Sequence, residues 1–76
     1  MIDHADAMKT RYRFIYFVPL TDDAWICAAN RDDTILGSVD IAEDWRKWVF
    51  NPADLRRFSL DCLQDIAHFM GQLKKP

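Results

Sequence analysis

Four polar side chains near the end of the chain have a spacing that one face of a helix would bring together. They are Asp61, Asp65, His68 and Gln72. A carboxylate and an imidazole one helical turn apart can bind a divalent metal. The set lacks a further His or Cys ligand, however, and the solvated side of any amphipathic helix has the same composition. We therefore predict no metal and no cofactor.

The cysteines and glycines offer no catalytic arrangement either. Cys62 and His68 are six residues apart, about 600° around a helix, so their side chains point in different directions. Gly37 and Gly71 stand alone, and no glycine-rich phosphate loop is present. Cys27 lacks Cys-x-x-Cys spacing to Cys62, so both are interpreted as reduced, partly buried thiols. The sequence predicts a protein that is not an enzyme.

Aromatic and basic residues alternate near the start of the chain. Strand geometry places Tyr12 and Tyr16 on one face, with Trp25 on the next strand and Arg11 and Arg13 close by. Such rings suit a protein contact, and they can also stack on single-stranded nucleic acid. Ten Lys and Arg against twelve Asp and Glu give a net charge of −2. That balance disfavours nucleic acid as the partner.

Acidic residues flank two places where strands are predicted to end. In an antiparallel meander the first turn and the end of the third strand lie at the same end of the sheet. Clustered carboxylates there would favour a basic partner surface. Turns are also acidic simply because Asp suits them. The predicted acidic contact consists of Asp22, Asp23, Asp40, Glu43 and Asp44.

Three segments rich in strand-forming residues must position these side chains. They run over Arg11–Val18, Ala24–Asn30 and Thr34–Asp40, with polar turns at Thr21–Asp23 and Arg31–Asp33. Short turns between consecutive strands predict an antiparallel meander.

The hydrophobic period then changes to that of a helix. Ile41, Trp45, Trp48 and Val49 follow the spacing i, i+4, i+7 and i+8, and Asn51–Pro52 would end this first helix. A second helix is predicted from an N-cap at Ser59 to about Leu73. Its predicted buried stripe is Leu63, Ile66, Ala67, Met70 and Leu73.

The predicted fold is therefore α+β, with a three-stranded antiparallel sheet packed on one face by two C-terminal helices. It forms a single domain over residues 1–76, with a flexible arm at 1–9, the sheet at 11–40 and the helices at 41–73. A fourth short strand near the N-terminus, or one helix merged around Pro52, is the alternative.

The chain has 76 residues, of which 50% are hydrophobic and 13% aromatic. That content excludes a disordered chain, and no apolar run predicts a membrane helix or a signal peptide, so we expect a cytoplasmic protein. Two helices can cover only one sheet face. The other face should keep apolar groups, with Tyr12, Tyr16 and Trp25 as the surplus rings, and a second copy, a partner or a stacked base should cover it.

In size and predicted layout the chain resembles the small phage-encoded inhibitors of bacterial defence called anti-CRISPR proteins. Val39–Phe50 resembles a strand-to-helix passage of one type I-F inhibitor, and Ser59–Leu73 occupies the place of its final helix. The resemblance covers about half the chain and implies a mechanism, the stoichiometric binding of a host protein or ribonucleoprotein complex. No functional residue is carried over by it, because these inhibitors share no motif.

The sequence thus favours a small non-catalytic protein-binding domain. The most specific form of this prediction is an inhibitor from a phage or mobile element that acts in the host cytoplasm. Its predicted contact residues are Tyr12, Tyr16, Trp25, Asp22, Asp23, Asp40, Glu43 and Asp44. Two alternatives stay open: a single-strand nucleic-acid binder, and a homodimer formed through the open sheet face.

Overall fold

The computed structural model describes residues 8–54 and 57–74. It contains four antiparallel strands in the spatial order of the sequence, followed by one helix. The α+β class and the meander agree with the prediction, but three strands and two helices were wrong. The elements are β1 (Ile15–Thr21), β2 (Ala24–Ala29), β3 (Ile35–Ala42), β4 (Lys47–Pro52) and α1 (Leu60–Gly71).

The first predicted helix is a β-hairpin instead. β3 runs on to Ala42, which pairs with Lys47 across a four-residue turn. Arg46 closes that turn in the left-handed region, with φ 56°, and its N–H donates to the Ala42 carbonyl. Trp48 and Phe50 then point to the same face as Val39, which is the alternation of a strand. The helical spacing of the apolar residues was therefore fortuitous.

The first strand also begins later than predicted. The chain turns back before Ile15, so the Tyr12 N–H donates to the Ile15 carbonyl and the Phe17 N–H to the Thr10 carbonyl. β1 then continues past Pro19 to Thr21. Since the Phe17 N–H is already hydrogen-bonded and Pro19 has no N–H, the β1 edge of the sheet is poorly suited to adding another strand.

Both predicted polar turns are confirmed. Asp22 and Asp23 connect β1 to β2, because Thr21 pairs directly with Ala24. In the β2–β3 turn, Asp33 adopts φ 61°, a conformation that Asp tolerates better than most residues.

The predicted N-cap of the helix is confirmed, but its buried face is shifted. The Cys62 N–H donates to the Ser59 hydroxyl at 3.2 Å. Leu63 and Ala67, assigned to the buried stripe, are exposed. The buried residues are Ile66 and Phe69, with Cys62, Met70 and Leu73 partly buried beside them.

The core lies between α1 and one face of the sheet. Phe69 stacks on Phe17 with ring centroids 3.9 Å apart and planes 1° from parallel, and Trp25 meets Phe69 edge-on at 5.0 Å. Cys27 and Val39 are fully buried beneath them. Trp48 fixes the end of the helical segment, because its indole N–H donates to the Lys74 carbonyl at 2.7 Å.

Within the described residues, α1 has 12 residues. It is neither long enough nor apolar enough to cross a bilayer.

Candidate functional site

The β1–β2 turn and the β3–β4 turn lie at the same end of the sheet and bring the predicted acidic residues together there. Asp22 and Asp23 form the β1–β2 turn, and Glu43 and Asp44 lie in the β3–β4 turn at the same end. Asp40, near the end of β3, accepts a hydrogen bond from the Asn51 amide at 2.8 Å. We call these five residues the acidic end.

A shallow groove of about 500 Å³ separates the two turns. Asp23, Asp40 and Glu43 contribute to its walls, so three of the five predicted acids surround one depression. Arg46 and Lys47 follow the acids in the β3–β4 turn and offset part of their charge. Five acidic side chains against these two basic ones leave a net negative charge at this end, which suits a basic patch of a partner.

Two large apolar side chains extend the acidic end. Trp45 is 68% exposed and lies directly after Asp44, and Leu20 is 62% exposed next to the β1–β2 turn. Exposed tryptophan is typical of interaction hot spots. Sequence reasoning assigned Trp45 to a buried stripe and missed this role. The available signal was its position between Asp44 and Arg46, in a polar stretch typical of a turn.

The other aromatic residues predicted for a contact are divided between the two faces. Tyr12 is buried in the core and Trp25 packs against Phe69, both on the helix side. Tyr16 alone lies on the helix-free face. Two of the three proposed stacking rings are therefore covered, wholly or in part. Tyr12 is covered because the chain reverses before Ile15 and breaks the alternation that the sequence pattern extended back to Tyr12. Trp25 is covered because it pairs with Val39 on the helix side of the sheet.

Tyr16 is held by charged neighbours. Its hydroxyl donates to the Asp33 carboxylate at 2.7 Å, and the Arg11 guanidinium lies 4.6 Å from its ring centroid. The hydrogen bond to Asp33 raises the pKa of the tyrosine, with smaller effects of burial and of the carboxylate charge, while Arg11 opposes the shift. Arg11 also donates to the Asn30 side-chain oxygen at 2.7 Å. This cluster braces the β2–β3 turn.

The helix-free face is apolar on the side of β1 and mostly polar on the side of β4, where Val49 is an apolar member. Val18, Ile26 and Ile35 share it with Tyr16, and Ile35 is 56% exposed. A bulge between Cys27 and Ala28 turns Ile35 to this face, so it lies on the face opposite to Val39, with which simple alternation along β3 would place it. The polar members, on β3 and β4, are Ser38, Asp40, Lys47 and Asn51.

Two of the four helix residues considered for a metal site, His68 and Gln72, are hydrogen-bonded to the segment before β1. Nδ1 of His68 lies 2.8 Å from the Tyr12 hydroxyl, and Gln72 exchanges hydrogen bonds with the Lys9 backbone at 2.9 and 2.8 Å. In the part of the chain that the structure describes, no three His, Cys, Asp or Glu side chains are grouped to hold an ion. Residues 1–7 of the predicted arm lie outside the described residues, whereas Met8 and Lys9 contact the folded domain.

Both cysteines are free thiols. Burial raises the pKa of Cys27 to about 12, with a smaller effect of the nearby Cys62. A thiol with so high a pKa is a poor nucleophile at neutral pH. Cys62 is partly buried where the first turns of α1 meet the sheet.

No protein family, curated protein or solved structure matches the chain. The layout behind the resemblance to anti-CRISPR proteins, a three-stranded sheet followed by two helices, is not the layout of this chain. In particular, Val39–Phe50 forms a hairpin and not a strand-to-helix passage. A function for this chain therefore has to be inferred from its own surfaces.

Proposed function

We propose that the protein is a non-catalytic binding domain that contacts a basic surface of a partner protein through its acidic end. The observation that carries this proposal is the exposure of Trp45, which is 68% exposed in the β3–β4 turn. It follows by two residues Glu43, which lines the groove together with Asp23 and Asp40. A tryptophan that leaves water on binding supplies contact area, and the surrounding carboxylates supply orientation and association rate.

The same end suits an inhibitor that acts in the cytoplasm on a nucleic-acid-processing complex. Clustered carboxylates can occupy a basic groove that otherwise holds phosphates. The two turns present them on a rigid sheet, so little ordering entropy is lost when the complex forms. Leu20 widens the apolar part of the contact.

The test uses the full chain, immobilised and exposed to lysate of the cells that express it. A partner retained by the wild type should be lost with Trp45→Ala, and with a neutralised variant carrying Asp22→Asn, Asp23→Asn, Glu43→Gln and Asp44→Asn. Binding should also weaken as salt is added, because the attraction is between exposed charges.

A control carries Asp32→Asn and Asp61→Asn, which remove two carboxylates away from the acidic end. The comparison matched to it in charge is a variant with Asp23→Asn and Glu43→Gln alone. The control should keep the partner. Equal retention by Trp45→Ala, by the neutralised variant and by the control would show that the acidic end is not the contact. Circular dichroism of each variant establishes that the fold is intact.

A second candidate is a homodimer through the helix-free face, favoured by the exposure of Val18 and Ile35 there. Sheets that pack face to face bury such side chains in a layer about 10 Å thick. Sedimentation equilibrium at micromolar concentration should then give twice the 8.9 kDa of the chain. Ile35→Lys should return the species to monomer, and a wild type that is monomeric at the outset contradicts this candidate.

A further inference from the structure

A second groove lies at the opposite end of the sheet from the acidic end. It has a volume of about 380 Å³ and opens between the first turns of α1 and the β2–β3 turn. Its position makes it independent of the proposed protein contact.

The interior of this groove is apolar. Ile15, which is almost completely buried, and the partly buried Leu36 contribute to it from the sheet, and Cys62 contributes from the helix. Phe14 forms a wall and is 46% exposed, so a bound apolar group would cover a phenyl ring that now contacts water. This surface selects a ring or a short alkyl chain.

Two guanidinium groups accompany that apolar surface. Arg13 lies over the Phe14 ring, 5.0 Å from its centroid, and Arg31 is 90% exposed with its Nε 3.8 Å from the Asp32 carboxylate. Asp61 and Asp65 lie on the other side of Phe14, in a neighbouring groove that Arg13 also lines. Arg13 therefore stands between an acidic groove and an apolar one. Its planar donors can still turn towards a carboxylate brought in by a ligand.

We propose that this groove binds a small molecule that joins an apolar body to a single carboxylate. The apolar body packs on Ile15, Leu36 and Phe14, and the carboxylate accepts hydrogen bonds from Arg13 and Arg31 at the mouth. Guanidinium groups bind carboxylates in a bidentate manner, which fixes the orientation of the ligand. The volume lies at the small end of the range for ligand sites, which limits the ligand to one ring or a short chain.

The experiment is a nitrogen–proton NMR titration of the full chain with 3-phenylpropionate. The amide signals of Phe14, Asn30 and Leu36 should shift and saturate, while those of the β3–β4 turn stay in place. The neutral analogue 3-phenylpropanamide should bind about tenfold more weakly, because it cannot form charged hydrogen bonds with the arginines.

Arg13→Gln and Arg31→Gln should each weaken 3-phenylpropionate about tenfold, whereas Arg46→Gln, at the other end of the sheet, should not change its affinity. Three results would overturn the proposal. They are the absence of a saturable shift up to about 10 mM, equal binding of the neutral analogue, and equal binding of inorganic phosphate, which has no apolar body. The same spectra report whether each variant is folded.

Discussion

The hydroxyl of Tyr12 lies 2.8 Å from Nδ1 of His68, although 56 residues separate them in the sequence. Gln72 donates to the same hydroxyl at 3.3 Å and to the Lys9 carbonyl at 2.8 Å. Tyr12 also packs edge-on against Phe17 at 6.0 Å. The segment before β1 is thus attached to the last turns of the helix by a partly buried hydrogen-bond network.

Tyr12→Phe should therefore destabilise the protein by about 1–2 kcal/mol. It removes a hydroxyl that joins His68 and Gln72 to a buried ring, and it leaves the partly buried Gln72 amide without that partner. Buried polar groups are costly to leave unpaired. Urea unfolding followed by tryptophan fluorescence measures the loss. Tyr16→Phe is the control, because its hydroxyl bonds to an exposed carboxylate, and it should cost less than about 0.5 kcal/mol. Equal losses in the two variants would contradict the structural role of the network.

The buried thiol of Cys27 and the buried phenol of Tyr12 should make the fold less stable at high pH. Burial raises the pKa of Cys27 from 9.0 to about 12, and burial also raises the pKa of Tyr12, with the Asp65 carboxylate as a second cause. Each group is more easily deprotonated in the unfolded chain, so the folded state holds more protons at high pH. Its contribution is complete below the unfolded pKa and is lost as pH rises towards the folded pKa.

The free energy of unfolding should then fall above pH 9, by about 1.4 kcal/mol per pH unit for Cys27. Cys27→Ala should flatten this decline while lowering stability at pH 7, because it leaves a small cavity in the core. Cys62→Ala is the control and should keep most of the slope. Urea unfolding at several pH values measures it, and a slope that survives Cys27→Ala would refute the assignment.

The face that the helix buries can be tested with two truncations to alanine. Phe69→Ala should cost about 3–5 kcal/mol, because it removes the ring stacked on Phe17 at 3.9 Å. Leu63→Ala should cost less than about 1 kcal/mol, because Leu63 is 49% exposed. Thermal melting gives both values. The stripe predicted from sequence includes Leu63 and does not include Phe69, so a larger loss at Leu63 would favour that stripe.

That difference shows which part of the fold was accessible from the sequence. Polar turns such as Asp22–Asp23 act locally, since the residue types themselves favour a reversal, and the meander followed from them. The buried face of the helix depends on what the sheet offers. Phe17 and Trp25 form an aromatic surface that selects Phe69 over Leu63, and no period within the helix contains that information.

The sequence predicted the charged residues of the candidate site correctly as a group, but not its exposed aromatic residue. The acids of the acidic end were grouped correctly because strand direction alone brings their turns together. Trp45 was misplaced because its spacing from Ile41 and Trp48 fits a helix as well as it fits a hairpin turn. Pairing of β4 with β3 decides between the two, and the apolar spacing from which the helix was predicted contains no information on that pairing.

Replacement of Arg46 by glycine should change the stability in opposite directions in the observed hairpin and in the helix predicted from sequence. It closes the β3–β4 turn with φ 56°, a region that costs a residue with a side chain about 1–2 kcal/mol and costs glycine almost nothing. Arg46→Gly should therefore stabilise the protein by about 0.5–1 kcal/mol in thermal or urea unfolding. Within a helix over residues 41–50 the same change would destabilise it by about 1 kcal/mol. Lys47→Gly, at the first position of β4, is the matched control and should destabilise the protein in either case. A loss of stability in Arg46→Gly would favour the helix over the hairpin, and with it a buried Trp45 in place of an exposed one.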